Sequence, residues 1–210
     1  MKTVHITTMI LATMLTTVAA VAIDRDANMI DALRLNYASF DDSEYFGVHI
    51  TGENTVKDTN GKWAILAGIS GGRLSFEDGP DFDSIGLELG VKYYLQELTS
   101  ISLLGGYTWS DGDIVDFETG SLTARIKHRF TSAYNPVSPY VKGEIAGLFI
   151  DAIEDSDAVV FRAMAGCDFA MSPDFAFVFE GGISESENMD DGPDPEDGWL
   201  LTIAMQYYWE

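Results

Sequence analysis

Between residues 85 and 95 the chain alternates without a break. Ile85, Leu87, Leu89, Val91, Tyr93 and Leu95 fall on one side, and Gly86, Glu88, Gly90, Lys92 and Tyr94 on the other. A period of two marks a β-strand with one face in an apolar medium and the other in a polar one. The pattern recurs at 199–209, where Trp199, Leu201, Ile203, Met205, Tyr207 and Trp209 oppose Leu200, Thr202, Ala204, Gln206 and Tyr208. It recurs again where Phe175, Phe177 and Phe179 oppose Ala176, Val178 and Glu180, and where Leu122, Ala124 and Ile126 oppose Thr123, Arg125, Lys127 and Arg129. With turn residues as boundaries, the alternation predicts strands over 32–39, 44–53, 61–76, 83–96, 99–110, 117–130, 139–152, 157–171, 174–185 and 198–209. The first two carry the weakest signal, so the expectation is ten strands or, without them, eight. The Gly71-Gly72 pair interrupts the alternation between Ile69 and Leu74 and predicts a bulge.

Alternation alone also fits a soluble sandwich or a lipocalin-like barrel. The placement of charge separates these from a membrane barrel, whose apolar face points outward and whose polar face points in. Arg34, Lys62, Lys92, Arg125, Lys127, Arg129, Lys142 and Arg162 fall on the polar face of a strand, with Arg73 the least regular member of that set. Glu53, Glu88, Glu144, Asp168 and Glu180 share the same face. Trp63, Tyr93, Tyr107, Trp109, Trp199, Tyr207 and Trp209 lie toward strand ends on the apolar face, where headgroup-level aromatics belong. An antiparallel up-and-down transmembrane β-barrel follows. Its lumen should hold an ion-pair network in which Glu88 and Glu144 are neutralised by Lys92, Arg125, Lys127 and Lys142, with Arg162, Asp168 and Glu180 as further members. In such a barrel Leu89→Arg, aimed at lipid, should cost about 2–4 kcal/mol, and Gly90→Arg, aimed inward, should cost less if the lumen has room.

Acidic residues cluster in the connections after alternate strands: 41–44, 77–83, 111–118, 151–157 and 185–197 hold 22 of the 34 acids. These connections share one end of an antiparallel barrel and are the longer ones, so they are expected outside the cell, with short turns in the periplasm. Asp190, Asp191, Asp194, Glu196 and Asp197 are weak candidates for a Ca²⁺ site, because hard oxygen ligands suit that ion; their spacing is not that of an EF-hand.

The N-terminus has Lys2, an uncharged run from Ile6 to Val21 and the small residues Ala20-Val21-Ala22, the order of a cleavable secretory signal over residues 1–22. Its apolar core, thinned by threonines, is too short for a spanning helix. Residues 23–210 then form one domain with 11 Lys+Arg against 34 Asp+Glu, a net charge of −23, which makes nucleic acid an unsuitable partner. Cys167 has no second cysteine to bridge to and lies on an apolar strand face, where packing is its expected role.

A signal peptide, eight to ten amphipathic strands, a Lys/Arg/Glu-lined interior and a last strand ending in aromatics resemble the small bacterial outer-membrane barrels of the OmpA transmembrane-domain and OmpX type. The resemblance covers residues 23–210 and is architectural. It implies an outer-membrane location, outer-membrane lipid and lipopolysaccharide as surroundings, assembly by the barrel-assembly machinery and a monomer. In that family a terminal aromatic is read during assembly, whereas here Trp209 is followed by Glu210.

A structural or surface-interaction role with a plugged lumen is the expected function. Barrels of about eight strands have interiors just wide enough for side chains. A narrow cation-selective channel beneath the acidic rim is the alternative. A barrel enzyme, an omptin-like protease or a lipid A acylhydrolase, is the third. His49 and His128 are the only histidines after the signal, and neither is expected at the acidic rim; no local His-Ser motif accompanies His128.

Overall fold

A computed structural model describes residues 28–40, 43–55, 63–77, 79–96, 98–112, 116–131, 136–150, 157–172, 175–188 and 197–209. The expected signal over residues 1–22, Lys62, and Asp190, Asp191, Asp194 and Glu196 lie outside these described residues. Ten strands follow one another: β1 Asn28–Phe40, β2 Ser43–Thr55, β3 Trp63–Phe76, β4 Phe82–Gln96, β5 Thr99–Gly112, β6 Phe117–Arg129, β7 Val137–Ile150, β8 Ala158–Ser172, β9 Phe175–Asn188 and β10 Gly198–Trp209. Each pairs antiparallel with its chain neighbours, and β1 pairs with β10 to close the barrel. The count is ten, and the two strands of weakest pattern complete the ring.

In β1 the alternation is broken locally. Asp31 pairs with Thr51 and Arg34 with His49, so Ala32 and Leu33 together oppose Ile50 on β2. The extra residue shifts the parity of β1 in mid-strand and hides its alternation from a period-two reading. Ile50 is buried although it lies on the outward face.

No bulge forms at Gly71-Gly72, contrary to expectation: the β2–β3 and β3–β4 registers run through both residues without a shift. The glycines serve packing instead. Gly47 and Gly72 are register partners, and a Cβ on either would run into the Tyr45 ring. The remaining register shifts fall at Tyr94/Gln96 and Ala170/Ser172, beside two-residue turns.

The apolar face points outward. Leu89 is 67% exposed, and Leu87, Ile65, Leu103, Leu122, Ile126, Ile145, Ile183 and Leu201 are exposed with it. Tyr107 packs on Trp109 and Tyr37 on Trp199 near the acidic rim, while Trp63 packs on Tyr93 and Phe169 on Phe179 toward the other rim. An aliphatic belt thus lies between two aromatic rings, the arrangement of a wall that meets hydrocarbon in the middle and headgroups at both edges. Cys167 is on this outer face and half-buried.

Connection lengths separate the two ends less than expected. They run from two to nine residues at the acidic rim and from two to seven at the other, so charge distinguishes the ends better than length does. Arg73 is corrected in face as well. It lies on the outward parity of β3, exposed at the acidic rim, where it bonds Asp81 and approaches Asp83 at 3.9 Å. This hydrogen bond holds the Asp81 carboxyl below the usual carboxylate range.

Candidate functional site

The lumen is the candidate site, and contacts that skip a strand define it. Lys92 on β4 reaches Glu53 on β2 at 2.8 Å, Lys142 on β7 reaches Glu180 on β9 at 2.6 Å, and Arg129 on β6 reaches Asp168 on β8 at 2.7 Å. Such side chains can meet over an intervening strand only on the concave side of the wall. Two centres organise the interior. Glu144 lies in register between Arg125 and Arg162 and accepts from Arg125 at 2.5 Å, with Arg162 and Lys142 each at 3.5 Å. Glu180 takes Lys142, the Tyr140 hydroxyl at 2.9 Å, and Arg34 at 3.6 Å.

A glycine makes the second centre possible. Tyr140, Gly166 and Glu180 share one register row, and a Cβ on Gly166 would stand 2.5 Å from the Tyr140 ring. With no side chain in the way, the Tyr140 ring lies flat over β8 and delivers its hydroxyl to Glu180. Tyr140 is 1% exposed, and Gln206, Asp168 and Glu180 are nearly as buried. Around these groups buried serines and threonines complete a polar interior; Thr202 donates to Asn36 at 3.0 Å.

Two expected pairings are corrected. Among the described residues Glu88 has no Lys or Arg within ion-pair distance, and its Oε1 is buried without a hydrogen-bond partner. The register explains this: the neighbours of Glu88 on β3 and β5 are Gly68 and Gly106, which offer no side chain at all. Lys92, expected to serve Glu88, serves Glu53 and bonds with Tyr94 to the same carboxylate. Lys127 also pairs with no carboxylate among the described residues; its ammonium lies over the Tyr140 ring, 3.5 Å from the centroid. The condition of lumen room, on which a lower cost of Gly90→Arg depended, is not met: Gly90 lies between Leu66 and Leu104, and a Cβ there would stand 2.5 Å from the Leu103 carbonyl.

Of the weak metal candidates only Asp197 is described. Its carboxylate accepts from the Ser186 backbone N–H at 3.3 Å and so braces the β9–β10 connection. Among the described residues no group of three or more His, Cys, Asp or Glu side chains is arranged to hold a metal ion.

Cross-strand pairing also reveals a contact with no local sequence signal. His128 is on the outer wall, and its register partner Thr99 lies 29 residues earlier, with Thr99 Oγ1 at 2.8 Å from His128 Nδ1. The imidazole also packs edge-on against Phe130. Nucleophilic catalysis needs a third group to orient such a base and donors to receive an oxyanion. His49 faces the lumen beside Thr51 at 3.3 Å.

No family model matches the chain, and no curated protein matches it. Solved structures share its architecture. An outer-membrane channel from Pseudomonas putida F1 matches with a TM-score of 0.57 at 11% identity, covering 90% of this chain and 97% of that one. The β domain of the Bordetella autotransporter BrkA matches with a TM-score of 0.55 at 8% identity, covering 86% of this chain and 98% of that one. The chain spans only 64% of the length of OmpT from Vibrio cholerae, matched with a TM-score of 0.41 at 11% identity. At such identities the shared feature is the fold, a closed antiparallel up-and-down barrel.

Proposed function

We propose that this chain is a bacterial outer-membrane barrel with a structural or surface-interaction role, its lumen closed by charged side chains and its acidic rim facing the cell exterior. The observation that carries this reading is the pair of interior centres at Glu144 and Glu180. They join β1, β6, β7, β8 and β9 across the inside of the wall, with the Glu144, Glu180 and Lys142 side chains buried and Arg34, Arg125 and Arg162 half-buried around them. The aliphatic belt between aromatic rings supports a membrane location, and the outer-membrane neighbours of the same fold agree with it. The barrel then presents its connections to the surroundings, and the interior serves rigidity rather than transport.

A narrow channel is the second reading, favoured by the hydroxyl- and glycine-rich wall around Gly68, Gly86, Gly106, Thr108 and Ser121. Among the described inward side chains seven are cations (Arg34, Lys92, Arg125, Lys127, Arg129, Lys142 and Arg162) and five are carboxylates, so any leak through the interior should favour anions over cations. Two measurements test these readings. The expressed protein should fractionate with the outer membrane and migrate as a compact, heat-modifiable species in detergent; recovery as a soluble monomer sinks the membrane location. Reconstituted in planar bilayers it should show no resolvable conductance steps; regular steps in the wild type would establish the channel instead.

A further inference from the structure

A groove of about 480 Å³ is cut into the outer wall across β5 to β9, within the ~300–1,000 Å³ of sites that take small-molecule ligands. Nine of its twelve lining residues face outward by parity; Arg125, Glu144 and Arg162 turn their side chains inward and leave backbone beneath the floor. Ile101, Ile126, Gly143, Ala163 and Ile183 form one register row along it, about 19 Å from end to end at the usual strand spacing. Counted from the rim opposite the acidic connections, Ile101 is the third residue of β5 and Ile183 the ninth of β9. The groove therefore climbs obliquely through the aliphatic belt toward the acidic rim. Two observations point to an occupant. Gly143 is part of the floor, and a Cβ there would meet Ile126 Cγ2 at 3.6 Å, an ordinary contact. Packing within the barrel thus tolerates a side chain at this position, unlike at Gly90, Gly166 or Gly182, and crowding does not account for the hollow. At the upper end Glu185 stands opposite Phe161, outward, exposed and fourth from the acidic end of β9, with no ion pair among the described residues. A carboxylate on a wall that meets lipid is unfavourable unless a cation reaches it.

We propose that this groove holds one acyl chain of a membrane lipid whose amine-bearing headgroup pairs with Glu185. The site rests on the membrane location proposed above and adds a lipid preference to it. The chain lies over Gly143 and Ala163, between Ile126 and Ile183 and beside Ile145 and Phe161. Lipid and wall are equally apolar, so the gain there is close packing against a floor without side chains. At the rim the ammonium donates charge-assisted hydrogen bonds to the Glu185 carboxylate and supplies the counter-charge that the barrel itself does not.

The test is native mass spectrometry of the full chain released from maltoside micelles that carry phosphatidylethanolamine and phosphatidylcholine with identical chains in equal amounts. The two lipids have the same net charge, so the field of the acidic rim does not separate them, and only the first has an ammonium with N–H donors. The wild type should retain one lipid and favour phosphatidylethanolamine by roughly three- to fivefold, which is what a partly screened ion pair supplies. Glu185→Gln should erase that preference, and Gly143→Leu, which fills the floor, should lose the retained lipid altogether. Each variant is scored as the folded, heat-modifiable species. A wild type that retains no lipid or shows no preference overturns the site. So does a preference unchanged in Glu185→Gln, or retention unchanged in Gly143→Leu. Should Gly143→Leu fail to fold, Glu185→Gln, a change at an exposed side chain, decides alone. A chain that stays soluble and does not enter phosphatidylcholine vesicles overturns the membrane location and the site together, whereas one that enters them yet shows no selectivity overturns the site alone.

Discussion

At the scale of single residues, the two faces of one strand make opposite demands. Leu89 projects from the middle of β4 into the surroundings, and in a bilayer an arginine there must leave water or drag water with it. Leu89→Arg should therefore cost about 2–4 kcal/mol, read as the shift in urea unfolding of the barrel in lipid vesicles. A cost near zero would mean that this face meets water. Gly90→Arg is no mild companion, because Leu66 and Leu104 close over that position from both sides. Gly166 makes a finer demand. Its missing side chain is the space the Tyr140 ring occupies, with the Phe179 carbonyl 2.9 Å from where a Cβ would stand. Gly166→Ala should destabilise by about 1–3 kcal/mol, the range of an overpacked core, and should loosen Tyr140 from Glu180. Double-mutant coupling between Tyr140→Phe and Glu180→Gln, present in the native background and reduced in Gly166→Ala, is the measurement that separates this role from general overpacking.

At the scale of strands, the interior pairing is a property of register more than of sequence. The alternation in β4, β5, β9 and β10 was legible because each strand keeps one parity from end to end. The bulge at Ala32 and Leu33 was not, since an inserted residue looks like noise in a period-two pattern until its partners on β2 and β10 are known. The inward set of charges was likewise legible, but not who meets whom. Glu88 and Lys92 are close in sequence and share a face, yet they stand about 13 Å apart along an extended strand. The stagger between strands brings Glu53 within reach of Lys92 and sets glycines on both sides of Glu88. Thr99 and His128 were missed for the same reason. A direct consequence concerns the two glutamates. Glu144→Gln removes the charge that three cations share and should cost about 1–3 kcal/mol, below the range for a fully buried charge because Arg125 and Arg162 are only half-buried and Lys142 keeps Glu180. Glu88→Gln removes a charge that no cation contacts and should be neutral or stabilising. Equal losses in the two variants, measured as unfolding midpoints in detergent, would show that Glu88 is paired in solution after all.

At the scale of the whole molecule, charge is segregated along the axis. The segments 41–44, 77–83, 111–118, 151–157 and 185–197, the rim connections together with adjoining strand ends, carry 22 of the 34 acids of a chain with a formal net charge of −22, whereas the described interior has more cations than carboxylates. Mutual repulsion keeps the rim solvated, and the interior charges compensate one another where solvent is scarce. In a closed barrel, whichever side chain spans the interior sets the seal, and Tyr140 has the strongest claim: it is the largest fully buried side chain, it crosses β8 to reach Glu180, and it carries Lys127 on its ring. Tyr140→Ala removes that span and releases both charges toward water. The variant should still run as a folded, heat-modifiable species, since every strand keeps its backbone ladder, and it should acquire small conductance steps in planar bilayers where the proposed closed lumen gives the wild type none. Because the freed groups include the unmatched cation Lys127, the reversal potential in a salt gradient should lie on the anion-selective side. A variant shown to be folded yet still silent would move the seal away from Tyr140 to another level of the interior, such as Leu66 and Leu104 over Gly90; cation-selective steps would mean that the acidic rim, not the interior, governs passage.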